Sequence, residues 1–172
     1  NEGSIYLDGE HIQTETDKRK FQNIITFISQ DTFLIEDSIK KNIIFNSEIE
    51  LNETKLNYVL EFSRVNKFID EFSEGLDYMV GSHSRRISSG QRQRIAIARA
   101  VYNLKDILIF DEATNALDQE NENVIIENIC SLKGDKTIIL VTHNIDVLSK
   151  ADKIYEVKDG KIIQRKINSI KD

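Results

Sequence analysis

Three short apolar runs, far apart in the chain, each stop at a residue able to do chemistry. Ile24–Ser29 runs into Gln30, Ile107–Phe110 into Asp111-Glu112, and Thr137–Thr142 into His143. Runs that are continuously apolar or β-branched, without polar alternation, read as strands of a parallel sheet covered on both faces. In open parallel sheets, ligands bind outside the carboxyl ends of the strands. An amide, a carboxylate pair and an imidazole are therefore expected to converge on one edge of the sheet.

Other stretches fill in the frame. Asp8-Gly9 and Asp159-Gly160 each lie between β-type residues, which predicts two hairpins over 5–12 and 154–163. Asn52 is placed to cap a helix through about Arg64, and Asn66 a shorter one carrying Phe68, Ile69 and Phe72. Ser88 or Ser89 opens a helix through about Asn103, with Ile95, Ala96, Ala98 and Val101 as its packing face. Asp118 caps another that runs to Lys133, before Gly134. The expected architecture is α/β: a core over 1–45 and 104–172, and a helical insert over about 46–103.

Composition narrows the class. With 40% hydrophobic and 30% charged residues in 172, the chain has the makings of one globular domain. No apolar run approaches the roughly 18 residues needed to span a bilayer. Cys130 is the only cysteine, which excludes an internal disulfide and thiolate clusters built on C-x-x-C. The net charge of −6 opposes bulk binding to nucleic acid. Met79 is the only methionine, so the chain is expected to be a processed product or a piece of something longer.

The chemistry gathers at two places. Four apolar residues fix Asp111 at a strand end, where one carboxylate suits Mg²⁺, a hard cation that completes its shell with phosphate oxygens and water. Glu112 is then placed to polarise a water for attack on a phosphoryl group. The second place is Ile87-Ser88-Ser89-Gly90-Gln91-Arg92-Gln93-Arg94 and the helix it opens. Small residues at a helix start leave N–H groups and the positive end of the helix dipole facing outward, a ready anion site. Arg85, Arg86, Arg92, Arg94 and Arg99 add positive charge; the bland alternative for them is a solvated basic helix.

These residues carry a family resemblance. Ile87–Gln91 with Arg92-Gln93-Arg94 and Ile97-Ala98-Arg99-Ala100 resembles the signature motif of ATP-binding cassette (ABC) ATPases. Ile107–Glu112 resembles their Walker B strand and Ala113–Asp118 their D-loop; Phe27–Asp31 is similar to the Q-loop, Val141–His143 to the switch histidine, and Val80-Gly81 to the start of the exporter X-loop. The order agrees from Gly3 to about Gly160. The resemblance implies a P-loop NTPase-like core with the ABC helical subdomain, using ATP and Mg²⁺. It implies that Asp111 binds Mg²⁺ through water, with Gln30 sensing metal and water and coupling to a membrane domain. Glu112 is implied as catalytic base and His143 as the contact to the γ-phosphate. Ser88, Ser89, Gly90 and Gln91 would close over ATP held by a second, head-to-tail cassette, and Asp118 would belong to that dimer contact. The implied location is the cytoplasmic face of a membrane.

The sequence also departs from the pattern. G-x-x-x-x-G-K-[ST], the phosphate-cradling P-loop, is not among the seven glycines' surroundings. The chain is thus expected to begin inside the cassette, to bind ATP weakly by itself, and to leave strand edges open. Ser89 stands where the family has a glycine, and Ser82, His83 and Ser84 replace the acidic continuation of the X-loop. The leading expectation is the ATPase domain of an exporter. The alternatives are an ABC ATPase of DNA maintenance, disfavoured by Gln91 and the absence of heptads, and a non-catalytic module that keeps the fold.

Overall fold

The computed structural model describes residues 3–45, 51–81 and 87–166. The chain divides into two compact units, Asn1–Leu140 and Val141–Asp172. The first begins with a hairpin of β1 (Tyr6–Leu7) and β2 (Glu10–His11), then α1 (Glu15–Ile24), β3 (Ile25–Ile28), β4 (Asp37–Ser38) and α2 (Ile39–Ile43). α3 (Glu53–Phe62), three 3-10 turns (Val65–Lys67, Ile69–Glu71, Gly75–Asp77) and β5 (Met79–Val80) come next. α4 (Ser89–Tyr102), β6 (Ile107–Asp111), α5 (Gln119–Cys130) and β7 (Thr137–Val141) follow, and β7 ends on the unit boundary. The second unit contains α6 (Ile145–Leu148) and a hairpin of β8 (Ile154–Lys158) and β9 (Lys161–Arg165).

Both hairpins form where Asp-Gly predicts them. Asp8, Gly9, Asp159 and Gly160 all have positive φ, between 49° and 86°, as the tight hairpin turn demands. The three apolar runs form one sheet in the order β3-β6-β7. β3 and β6 are parallel, with Ile25 opposite Ile107 and Ile28 opposite Phe110.

Burial differs from the expectation of a sheet covered on both faces. Central β6 buries Leu108 and Phe110, whereas Phe27 of β3 is 58% exposed and Ile139 and Val141 of β7 are each 47% exposed. Among the described residues nothing covers those side chains, so the flanking strands keep an open face where a fully covered parallel sheet would bury both.

The core of the first unit lies around α4, whose Ile95, Ile97, Ala98 and Val101 are buried, with Ile39 and Ile43 of α2 and Leu56 and Val59 of α3. Each such side chain contributes about 1.5–3 kcal/mol by leaving water. Caps set the helix starts. Asn52 Oδ1 accepts from Lys55 N at 2.9 Å, and Thr14 and Asp17 form a reciprocal capping box on α1. α5 stops three residues short of Lys133, because Ser131 onward turns toward Gly134 at φ +92°.

The helix expected from Asn66 does not form. Arg64 adopts the left-handed conformation (φ +58°), which ends α3, and Asn66 lies inside the first 3-10 turn instead of capping anything. The same segment closes by aromatic packing: Phe68 meets Phe72 edge-on at 6.3 Å, and Phe72 stacks on Tyr78 at 4.2 Å.

Candidate functional site

The parallel register of β3 and β6 carries two of the expected groups to one end of the ladder. Asp111 is the last residue of β6 and Glu112 the next; Ser29 and Gln30 leave β3 in the same direction. Asp111 and Glu112 are half-buried, while Gln30 is exposed. His143 lies just beyond β7, in the second unit, and is exposed.

Glu112 has a backbone conformation that side chains other than glycine seldom adopt, with φ +50°. Such a residue costs on the order of 1–3 kcal/mol and persists only when its surroundings over-determine it. Here the turn after it is tied down repeatedly. Ala113 and Thr114 are buried, Asn115 N donates to Glu112 O at 3.3 Å, and Leu117 N donates to Thr114 O at 3.0 Å. The Thr114 hydroxyl donates to Glu122 Oε1 at 3.1 Å, and Asn115 Nδ2 donates to Glu112 Oε2 at 2.8 Å.

α4 enters the same neighbourhood at its N-terminus. Ser88 Oγ accepts from Gln91 N at 3.1 Å, and Gln91 Oε1 accepts from Ser88 N at 3.0 Å, a complete capping box. Gln91 Nε2 donates in turn to Glu71 Oε2 at 3.1 Å. A serine hydroxyl that accepts in a cap still has its own hydrogen to donate outward. Ser89 is the first helical residue, is exposed and has no positive φ, so the serine carries no backbone strain. Gly90 has a different constraint: a Cβ there would lie 2.9 Å from the Ala116 carbonyl oxygen.

The arginines of α4 form neither a free basic face nor an open anion site. Arg92 Nη1 donates to Ile87 O at 2.8 Å and Arg94 Nη1 to Arg64 O at 3.2 Å, with the Arg94 guanidinium 4.5 Å from the Phe68 ring centre. Arg99 donates to Asn42 O at 2.7 Å, Asn42 Oδ1 at 2.8 Å and Phe33 O at 3.0 Å. Burial lowers the pKa of Arg94 and Arg99 from the ordinary guanidinium value, yet arginine keeps its charge in proteins. Arg85, Arg86, Ser82, His83 and Ser84 lie outside the described residues.

Three polar residues with structural importance here were given no role of their own by the sequence, although two of them, Gln93 and Asn115, lie inside the quoted motifs. Asn42 is fully buried and ties the segment after Gln30 together, accepting from Ile35 N at 2.9 Å and donating to Ile35 O at 3.1 Å and Ser38 O at 3.0 Å. Its only signal was an amide directly before the apolar Ile43-Ile44-Phe45. Gln93 Oε1, buried, accepts from Ala116 N at 3.0 Å. Asn115 is the third. Asp118 caps α5, accepting from Asn121 N at 2.9 Å. That backbone bond, then the Asn121 side chain, and Arg94 more weakly, hold its carboxyl below the ordinary value.

Beside β3, an open cavity of about 440 Å³ is lined by Phe27, Phe33, Phe45 and Arg99 among others. Among the described residues no group of three metal-ligating side chains occurs, and no helix is long and apolar enough to cross a membrane.

Comparison with known proteins meets this geometry from another side. The family model described as ABC transporter matches residues 1–115. The ATP-dependent lipid A-core flippase of Vibrio parahaemolyticus is 37% identical over 163 residues, covering 95% of this chain and 28% of the flippase. The heterocyst differentiation ATP-binding protein HepA of Nostoc is 37% identical over 167 residues, covering 95% of this chain and 27% of HepA. The solved structure of a bacterial Atm1-family ABC exporter with ATP bound superposes with a TM-score of 0.87 at 28% identity, covering 98% of this chain and 30% of that one. The chain thus spans under a third of the length of these relatives.

Proposed function

Because this chain belongs to the ABC transporter family, we propose that it forms part of an exporter's ATP-hydrolysing cassette, coupling ATP binding and hydrolysis to movement of a substrate across a membrane. The observation that carries this reading is the end of β6, where a fixed aspartate is followed by a glutamate held in a strained, multiply tied turn. Strain of this kind clusters where a side chain must point in one direction.

Asp111 fits Mg²⁺ by the chemistry of its donor set. Mg²⁺ is commonly held by one or two carboxylates together with substrate phosphates and waters, so a third protein ligand is not required. Bound there, the ion would neutralise charge on the phosphates. Glu112 orients and polarises the attacking water, and His143 contacts the γ-phosphate. Gln30 reports on metal and water to the membrane domain. Ser88, Ser89, Gly90 and Gln91 present the start of α4 to ATP on a second, head-to-tail cassette, and Asp118 lies in that contact. The residues 1–45 and 104–172 serve as the α/β core and 46–103 as the helical subdomain. The exposed Phe27, Phe33 and Phe45 around the cavity beside β3 offer apolar surface to the membrane domain. The assembly operates at the cytoplasmic face.

Glu112→Gln in the full-length exporter tests the reading. It keeps size and removes the charge that polarises water, so ATP turnover is expected to fall about a hundredfold or more while ATP still binds. Turnover near the unsubstituted rate sinks the assignment.

A further inference from the structure

The turn after β6 is gripped by α4 at a single peptide. Ala116 N donates to the buried Gln93 Oε1 at 3.0 Å, and Ala116 O faces Gly90 so closely that a Cβ there would stand 2.9 Å away. Both polar atoms of Ala116 are therefore set by the first turns of one helix. The residue just before it, Asn115, reaches back and donates from Nδ2 to Glu112 Oε2 at 2.8 Å, while its backbone N–H reaches Glu112 O at 3.3 Å. A path of three residues thus leads from the interior of α4 to one named carboxylate oxygen.

We propose that Gln93 and Asn115 are positioning residues for Glu112: Gln93 fixes the turn against α4, and Asn115 fixes the direction of the carboxylate. The proposal rests on the reading of Glu112 as the group that polarises water. Gln93 is suited to its part because a buried amide oxygen with a backbone N–H partner cannot let go without leaving a polar group unsatisfied. Asn115 is suited to its part because it is exposed. Little of the packing depends on it, so its hydrogen bond is its main consequence. A carboxylate displaced by a fraction of an ångström keeps its charge but loses its line to the water, which lowers turnover without weakening the hold on ATP.

The test compares kcat and KM for ATP in the full-length exporter. Asn115→Ala is expected to lower kcat about tenfold with KM within about twofold. Asn115→Asp keeps the shape, removes the N–H donor and sets a second carboxylate against Glu112, so it is expected to lose more than Asn115→Ala. Gln93→Leu is expected to lower kcat to a similar degree. Adding Asn115→Ala to it should change little further, because residues on one path are not additive. An unchanged kcat in Asn115→Ala, a loss expressed in KM instead, or losses that multiply in the double variant would each overturn the proposal. Should Gln93→Leu fail to fold, the two Asn115 variants decide alone. Glu112→Gln is measured alongside. If it retains turnover, the functional reading has failed; if it is inactive while Asn115→Ala is normal, only the positioning inference has failed.

Discussion

Gly90 shows how one absent methyl group can carry two duties. The sequence pattern asks for a small residue so that a helix start can approach a phosphate. Inside this chain the same position is also closed by the Ala116 carbonyl, 2.9 Å from where a Cβ would be. That oxygen belongs to backbone and cannot swing aside as a flexible side chain would. Gly90→Ala is therefore expected to push the turn away from α4, stretch the bond from Ala116 N to Gln93, and lower kcat about tenfold. Steady-state kinetics and a crystal structure of the variant would check it; an unmoved Ala116 with normal turnover would show that the contact yields. Arg99 makes a related point. Its three donors reach two carbonyls and an amide oxygen in a fixed fork, a geometry lysine does not reproduce.

At the scale of elements, caps and turns were legible because their chemistry is local. Asn52, Ser88 and Asp118 each cap the helix assigned to them, with side-chain oxygens 2.9–3.1 Å from the third N–H. Asp-Gly fixed both hairpins for the same reason. The helix expected from Asn66 is absent because the chain turns left-handed at Arg64, whose carbonyl accepts from Arg94 and whose guanidinium donates to Glu120, both partners distant in sequence. α1 was missed, although Thr14-x-x-Asp17 is a readable capping box. Within the candidate site, Gln30, Asp111 and Glu112 were visible as strand ends. Gln93 was visible only as a member of the motif and its contact was not, because its partner lies 23 positions away and is a main-chain N–H with no sequence identity of its own.

The α5 cap also predicts a pH effect with a definite sign. Asp118 has a carboxyl pKa depressed from 3.8 by its bonds to Asn121. A depressed carboxyl stabilises the fold above its unfolded pKa, and that stability disappears as pH falls through the folded value. Asp118→Asn retains a capping oxygen but does not titrate. The difference in thermal midpoint between the two proteins is expected to be constant near neutrality and to change only below about pH 4. A difference that varies instead around pH 6–7 would point to another group.

Over the whole molecule, burial is uneven in a way that hydrogen exchange can read. α4 and β6 are packed on Ile95, Ile97, Leu108 and Phe110, all buried. The β8–β9 hairpin buries Ile154 but exposes Val157 and Ile162 by 75% and 72%. Amide exchange is expected to be slowest in α4 and β6 and faster by orders of magnitude in β8 and β9; equal protection in both would show that the hairpin is covered in the assembled protein.

Among the described residues β7 is an end strand of its sheet, with Ile139 and Val141 half uncovered. Between Thr137 and Val141 stands no charge, and the chain contains no proline to interrupt a ladder. Nothing on that strand acts as a gatekeeper against intermolecular pairing. For the cell, synthesis of this segment ahead of whatever shields the strand opens a window for aggregation, and the pace of assembly becomes part of the protein's solubility.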